Sequence, residues 1–294
     1  NQNIPQVQYN LGNIYREGKY ISRDINKAIY YYTLAANHNI PEAQFNLGLI
    51  FIEGIVVDKN IIKGIDLLIQ SASNGNIMAH FCVGYFYHEG RHVQRNIKKA
   101  IHHYKEASSF NNQYAKNNLG IIYKNGISEE ISQNIGYAIE YFEEAIRQKE
   151  DKSSMYNLSH IYIYEIGTEE KIEESINLLT KSLDYNFQPC ESLLCISLIK
   201  KYSFNFENIY NYLVENTNKS SADKIITIIY SELYDEISFK RYYEKYKTID
   251  YTYDYLLRPI ESNSLFDKKI KQPEEDKRRK NVTNNFYEGF GYDI

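Results

Sequence analysis

Tryptophan is absent from the 294-residue chain, an absence set against thirty tyrosines. Together with the many asparagines, isoleucines and lysines, it marks an AT-rich coding bias and carries no mechanism. Cysteine is scarce. Cys82, Cys190 and Cys195 cannot all pair and form no C-x-x-C, which excludes a disulfide-stapled scaffold and points to a reducing, cytoplasmic setting, with the nucleus as the alternative. No apolar run approaches the ~18–20 residues that span a bilayer, so no membrane partner is expected for this segment. The opening NQNIPQVQ shows none of the basic and apolar regions of a signal peptide. Charge is nearly balanced: a net −4 gives no electrostatic reason to expect nucleic acid.

What the chain does have is a period. NLGNIYREG, NLGLIFIEG, CVGYFYHEG and NLGIIYKNG place Gly12, Gly48, Gly84 and Gly120 at steps of 36, and Gly18, Gly54, Gly90 and Gly126 at the same step. A fixed period of this size sets the architecture before any motif does. A phosphate loop needs glycine N–H groups at a helix N-terminus, ordinarily with a lysine. Here the second glycine follows an apolar helical face (Ala43, Leu47, Gly48, Phe51), so it belongs at a helix C-terminus as a left-handed cap. Pro41 suits the first turn of that helix. A second helix follows, clearest at Lys27-Ala28 to Ala35-Ala36, with small residues recurring as Gly64 and Ala72, Ala100 and Ala107, Ala138 and Ala145. Small residues on facing helices let two backbones approach, which explains a mid-helix glycine that costs about 1 kcal/mol in propensity.

Recognisable repeats cover residues 1–185, about five units, the first entered mid-unit because residues 1–8 parallel NHNIPEAQ at 37–44. The polypeptide is therefore expected to continue upstream. The fifth unit is looser, with Leu158-Ser159 for Leu-Gly, Gly167 as a displaced cap, and Ser175 and Ser182 in its second helix. Residues 186–260 read as degenerate helical repeats or a C-terminal cap. Residues 261–294 hold seven basic and seven acidic residues and read as a mostly disordered polar tail, Lys277 to Lys280 included, ending in an aromatic FYEGFGYDI.

No reaction centre emerges, and none of the carboxylates or cysteines has the arrangement of a catalytic group. Five of seven histidines fall between 80 and 103: His80, His88, His92, His102 and His103. A zinc site needs about four converging ligands. His88 and His92 flank Gly90 and share no helical face, and His102 and His103 diverge around their helix. They read as stand-ins for tyrosine on half-exposed surfaces, with no metal and no cofactor. The sequon at Asn157 falls at a helix-packing position where a glycan does not fit.

The pattern A-x-x-x-L-G-x-x-Y-x-x-G followed by K-A-x-x-Y-Y-x-x-A-A, as in Ala43 to Gly48 and Lys27 to Ala36, resembles the Sel-like repeat of the tetratricopeptide superfamily. The resemblance implies an all-α, right-handed α-solenoid of antiparallel helix pairs and a non-catalytic scaffold or adaptor that binds a protein or peptide partner. The alternatives it leaves are a regulatory or substrate-presenting arm of a kinase-like signalling protein, and an adaptor of endoplasmic-reticulum-associated degradation. In such solenoids the first helix of each pair lines the concave groove. By that analogy the residues two before each Leu-Gly face the partner: Tyr9, Phe45, Phe81, Asn117 and Tyr156. One past the glycine come Asn13, Leu49, Tyr85, Ile121 and His160; three further on, Ile52, His88 and Lys124 join them, with Arg16 and Ile163 in register. Exposed aromatics among polar neighbours are what peptide capture needs, and aromatics packed between units are the structural alternative.

Overall fold

The computed structural model describes residues 4–54, 57–90, 92–126, 131–183, 189–203 and 205–232. Among these residues there is no strand. The helices are α1 (Ile4–Glu17), α2 (Ile25–Ala36), α3 (Pro41–Glu53), α4 (Ile61–Ser73), α5 (Ile77–Glu89), α6 (Ile97–Ser109) and α7 (Gln113–Asn125). Then come α8 (Ile135–Lys149), α9 (Lys152–Ile161), α10 (Glu169–Leu183), α11 (Pro189–Tyr202), α12 (Phe206–Asn216) and α13 (Lys219–Glu232). A π-helical turn, Tyr162–Ile166, prolongs α9. The fold is the all-α helix-pair solenoid that the period of 36 demands. The described residues form two compact units, 4–112 with α1–α6 and 113–232 with α7–α13. The polar tail, its basic run and FYEGFGYDI lie outside the described residues, as does the part of 186–260 beyond Glu232.

The pair α3/α4 shows why the residues repeat. Pro41 opens α3, where its missing N–H is not needed. Gly54 closes it at φ +66, its N–H reaching the Ile50 carbonyl at 3.1 Å. A Cβ on Gly54 would also stand 2.4 Å from the Lys59 Cβ, so glycine is required there by both conformation and space. Asn60 then caps α4: its side chain accepts the Lys63 N–H at 3.0 Å. Its own N–H donates to the Phe51 carbonyl at 2.8 Å, which ties the loop back to α3. Asp24, Asn96 and Asn134 make the same two bonds in their own pairs.

Between the helices Gly48 faces Gly64, and a Cβ on Gly48 would stand 2.9 Å from the Gly64 carbonyl oxygen. The Ser71 hydroxyl donates to the Pro41 carbonyl at 2.6 Å, which fixes the antiparallel register at the far end. In the other regular pairs a fully buried ring takes this space: Tyr32, Tyr104 and Phe142 lie against Gly12, Gly84 and Gly120. Each such ring contributes roughly 1.5–3 kcal/mol by leaving water.

A further contact recurs that the repeat consensus lists but does not connect. The first-helix aromatic three past the glycine lies between two residues of the second helix. Tyr15 stacks on Tyr31 (5.6 Å, 5°) with the Lys27 ammonium 5.1 Å from its ring centre. Tyr87 stacks on His103 (6.0 Å, 15°) under Lys99, and Tyr123 stacks on Tyr141 (5.7 Å, 4°). In the second pair Leu67 replaces the stacking ring, and Lys63 still sits 4.0 Å from the centre of Phe51. In the first and third pairs lysine and aromatic thus clamp the same ring, and in the fourth Tyr137 meets Tyr123 edge-on at 5.4 Å in the lysine's place.

Returning turns carry a second period of 36 that is not evident as a motif. Asn39, Gly75 and Asn111 are all left-handed, at φ 59, 93 and 65. Asparagine tolerates this conformation better than other side chains do. A polar link joins the first two pairs here, Gln44 donating to the Ala36 carbonyl at 3.3 Å, and Asn74 at the end of the same pair holds Gln44 by donating to it at 2.8 Å.

The fifth pair solves the same problem differently. Ser159 stands in place of glycine and donates to the Ser175 carbonyl at 3.5 Å. The Ser175 and Ser197 hydroxyls lie 3.1 Å apart, which draws α11 against the pair. A π turn ends α9, so Gly167 caps onto the Tyr162 carbonyl five residues back, at 2.9 Å, where the regular cap glycines reach back four; the wider turn accounts for part of its displaced register. From α10 onward an aliphatic core takes over, built from residues such as Ile176, Leu179, Ile196, Ile209, Leu213 and Ile225. Cys190 and Cys195 sit within it as free thiols, and Cys82 is buried in α5. Burial pushes the Cys82 and Cys190 thiols up to about 12, which leaves them inert as nucleophiles.

Candidate functional site

The residues expected on the partner-binding face all come from first helices, and their surroundings differ by position. Those two before the Leu-Gly register are buried: Tyr9, Phe45, Phe81, Asn117 and Tyr156. Tyr9 lies 6.1 Å from the Tyr32 ring and Phe81 lies 5.9 Å from Tyr104, so both lean on the central ring of their own pair. Asn117 accepts from the Ser154 hydroxyl at 3.2 Å and from the Asn157 amide at 2.9 Å, which links α7 to α9. Its own Nδ2 has no hydrogen-bond partner. A fully buried Asn157 also leaves no room for a glycan at that sequon.

At the next position Asn13 and Leu49 are half-buried, and Tyr85, Ile121 and His160 are buried. Asn13 accepts from the Tyr32 hydroxyl at 2.7 Å and from the Asn46 amide at 3.4 Å, so it bridges its own pair to the following first helix. Burial raises the Tyr32 hydroxyl's pKa, which keeps it a neutral donor. Ile121 packs with Phe142, Leu158 and Tyr162, and His160 lies 4.5 Å from Tyr164. Of the third set, Ile52 and Lys124 are buried and His88 is half-buried. The His88 ring meets Tyr104 edge-on at 6.1 Å, and its carbonyl accepts from Arg95. Burial, helped by the Arg95 charge, lowers its pKa to about 4.

The histidine group between 80 and 103 behaves otherwise than its spacing suggests. His102 and His103, expected to diverge, stay in edge-on contact with ring centres 5.3 Å apart, and His103 meets His80 across the α5/α6 interface, Nδ1 to Nδ1 at 3.0 Å. The i,i+4 test within one helix could not find this pair, because its members are 23 residues apart. Burial lowers both pKa values, His103 to about 4, with neighbouring His80, His102 and Lys99 adding to the effect there. Among the described residues no group of three or more His, Cys, Asp or Glu converges on a point. No described helix is long and apolar enough to cross a membrane.

A chain of short antiparallel helix pairs, small residues at each crossing and a glycine cap every 36 residues defines a helical-repeat protein. The Sel1 repeat family matches at residues 5–40, 41–76, 77–109, 113–150 and 152–184, more than half of the sequence, and the chain belongs to that family. Sel1 repeat proteins generally mediate protein–protein interactions, and the scaffold is typically non-catalytic. Among solved structures the chain is similar to a Sel1 repeat protein from Oxalobacter formigenes. That pair shares 22% identity with a TM-score of 0.62, over 77% of this chain and 87% of that one. It is also similar to c5321, a protective antigen of uropathogenic Escherichia coli strains displaying an SLR fold, at 18% identity and a TM-score of 0.60. That match covers 93% of this chain and 65% of c5321. No curated protein matches the sequence.

Proposed function

We propose that the chain is a non-catalytic scaffold that holds a protein or peptide partner against the first helices of its repeats. One observation carries the reading: the framework positions repeat and the face positions do not. Glycine and the cap Asp or Asn recur because each serves the same crossing or makes the same bond in every regular pair, and the clamping lysine recurs in the first three. One and four residues past the first glycine, the chain instead changes chemistry from unit to unit. Asn13, Leu49, Tyr85, Ile121 and His160 are followed by Arg16, Ile52, His88, Lys124 and Ile163. A packing role alone favours one size and polarity at equivalent sites, whereas a surface that reads a partner favours differences.

The half-buried members are the sharper probes, because the fully buried rings also hold the helix pairs together. Leu49→Gln and His88→Gln, which put no charge into these half-buried sites, are expected to abolish capture of partners in a pull-down while leaving the thermal midpoint within a few degrees of the parent. Tyr30→Asp, on an exposed second-helix site, is expected to leave capture intact. Loss of capture by the Tyr30 variant with retention by the other two would overturn the reading.

A further inference from the structure

In the third pair, the two positions occupied by His80 and His103 hold other residues elsewhere. His80 corresponds to Gln8, Gln44 and Lys116, and His103 to Tyr31, Leu67 and Tyr141. Of these four pairs only this one carries imidazole at both positions, and its two Nδ1 atoms lie 3.0 Å apart, with ring centres 5.2 Å apart and planes at 44°. The His103 ring is held in place by stacking on Tyr87, whose ring Lys99 also approaches. Both histidines remain half-buried and open to solvent on one side. Two nitrogens ~2.0–2.1 Å from one ion and at adjacent positions of its shell stand roughly 3 Å apart, and imidazole suits Zn, Cu and Ni.

The groups around the pair are mixed in charge. Glu106 lies on α6, close enough for its charge to act on His80. Exposed His102 is next to His103, its ring centre 5.3 Å away, and Lys99 contributes an opposing positive charge on that side. An exposed imidazole thus adjoins the pair, and a carboxylate on α6 acts on it through its charge.

We propose that His80 and His103 form a two-imidazole chelate for a divalent first-row transition ion, copper(II), nickel(II) or zinc(II). Water or Glu106 fills the remaining positions of its shell. No covalent step is involved; the ion displaces the hydrogen bond now joining the two rings. The Irving–Williams order places copper(II) tightest of the three.

The test titrates the full chain, freed of any purification tag, with each metal chloride alone by calorimetry, and records the copper(II) electron paramagnetic resonance spectrum. One ion per chain, strongest for copper and showing coupling to two imidazole nitrogens, is the expected result. His80→Gln and His103→Tyr install residues that sibling repeats already carry at these positions, so the fold tolerates them. Each is expected to weaken binding by about tenfold or more, a loss usual even for a supporting partner of a ligand. His38→Gln and His92→Gln are expected to change nothing. Absence of binding, or binding that survives in the His80→Gln/His103→Tyr double variant, overturns the proposal.

Discussion

Where α1, α3, α5 and α7 carry glycine at the crossing with their partner helix, α9 carries Ser159. In three of the four glycine pairs the vacant Cβ is filled by a buried ring from the second helix, and in the fourth by a facing glycine. In the fifth pair hydroxyls fill the crossing and bond across it, from Ser159 to Ser175 and from Ser175 to Ser197. The first arrangement is shape-matched and unforgiving; the second is polar, and it recruits a third helix. A repeat therefore keeps its fold when its consensus fails, provided the replacement is small and its hydroxyl finds a carbonyl. It then stops looking like a repeat, because the helix beyond is held by an aliphatic core and not by a copy of the glycine–ring contact.

The largest break in this comparison is expected at the ring. Phe142→Ala should destabilise the chain by about 3–5 kcal/mol in urea denaturation, as for other buried aromatics. Gly120→Ala places a Cβ 2.5 Å from the Phe142 ring and should cost about 1–3 kcal/mol by overpacking. The two losses should not add, since the new methyl enters space the ring has left; a double-mutant cycle measures this. Ser159→Ala, at the matching position of the fifth pair, should cost only about 0.5–1.5 kcal/mol, the net worth of one hydrogen bond.

The cap glycines sharpen the contrast. Gly54→Ala and Gly167→Ala both force alanine into the left-handed region, worth about 1–2 kcal/mol each. At Gly54 the methyl also meets Lys59, whereas at Gly167 the nearest heavy atom would be 3.9 Å away. Gly54→Ala should therefore lower the thermal midpoint more than Gly167→Ala does. A smaller effect is expected for Lys63→Met, which removes the cation over Phe51 and should cost about 0.5–1 kcal/mol.

A separate handle is the pH response of His88, a regular-repeat residue with no histidine counterpart in the fifth pair. Its pKa falls from the usual 6.5 to about 4 on folding. The unfolded chain therefore binds the proton first, and the His88 contribution is complete above pH 6.5 and is lost as pH falls toward 4. His88→Phe should flatten the decline of the thermal midpoint between pH 7 and pH 4.5. An unchanged decline would show that the ring titrates freely in the folded state.

Much of the framework was legible in the sequence because it is local. A left-handed cap, a proline in a first turn and a small residue every 36 positions are demands made by a few neighbouring bonds. The returning-turn series Asn39, Gly75, Asn111 was equally local, yet asparagine alternating with glycine hides the shared dihedral behind two residue types. The aromatic clamp was half legible: its lysine, its tyrosine and its second aromatic are all in the consensus, but nothing in their spacing says that they touch. The residues expected to meet a partner do lie on first helices, while their burial was not readable. Phe81 and Tyr9 look alike in sequence to any exposed groove aromatic; they lean on Tyr104 and Tyr32 because the glycine opposite lets those rings come near.

The sequence by itself determined the period, the helix ends and the positions where no Cβ fits, since these follow from backbone geometry within one turn. Tertiary structure alone decided that Asn117 is buried between α7 and α9, that serine replaces glycine without loss of the pair, and that His80 meets His103. Each depends on how closely two helices approach and at what rotation, and that is set by the combined shapes of both surfaces.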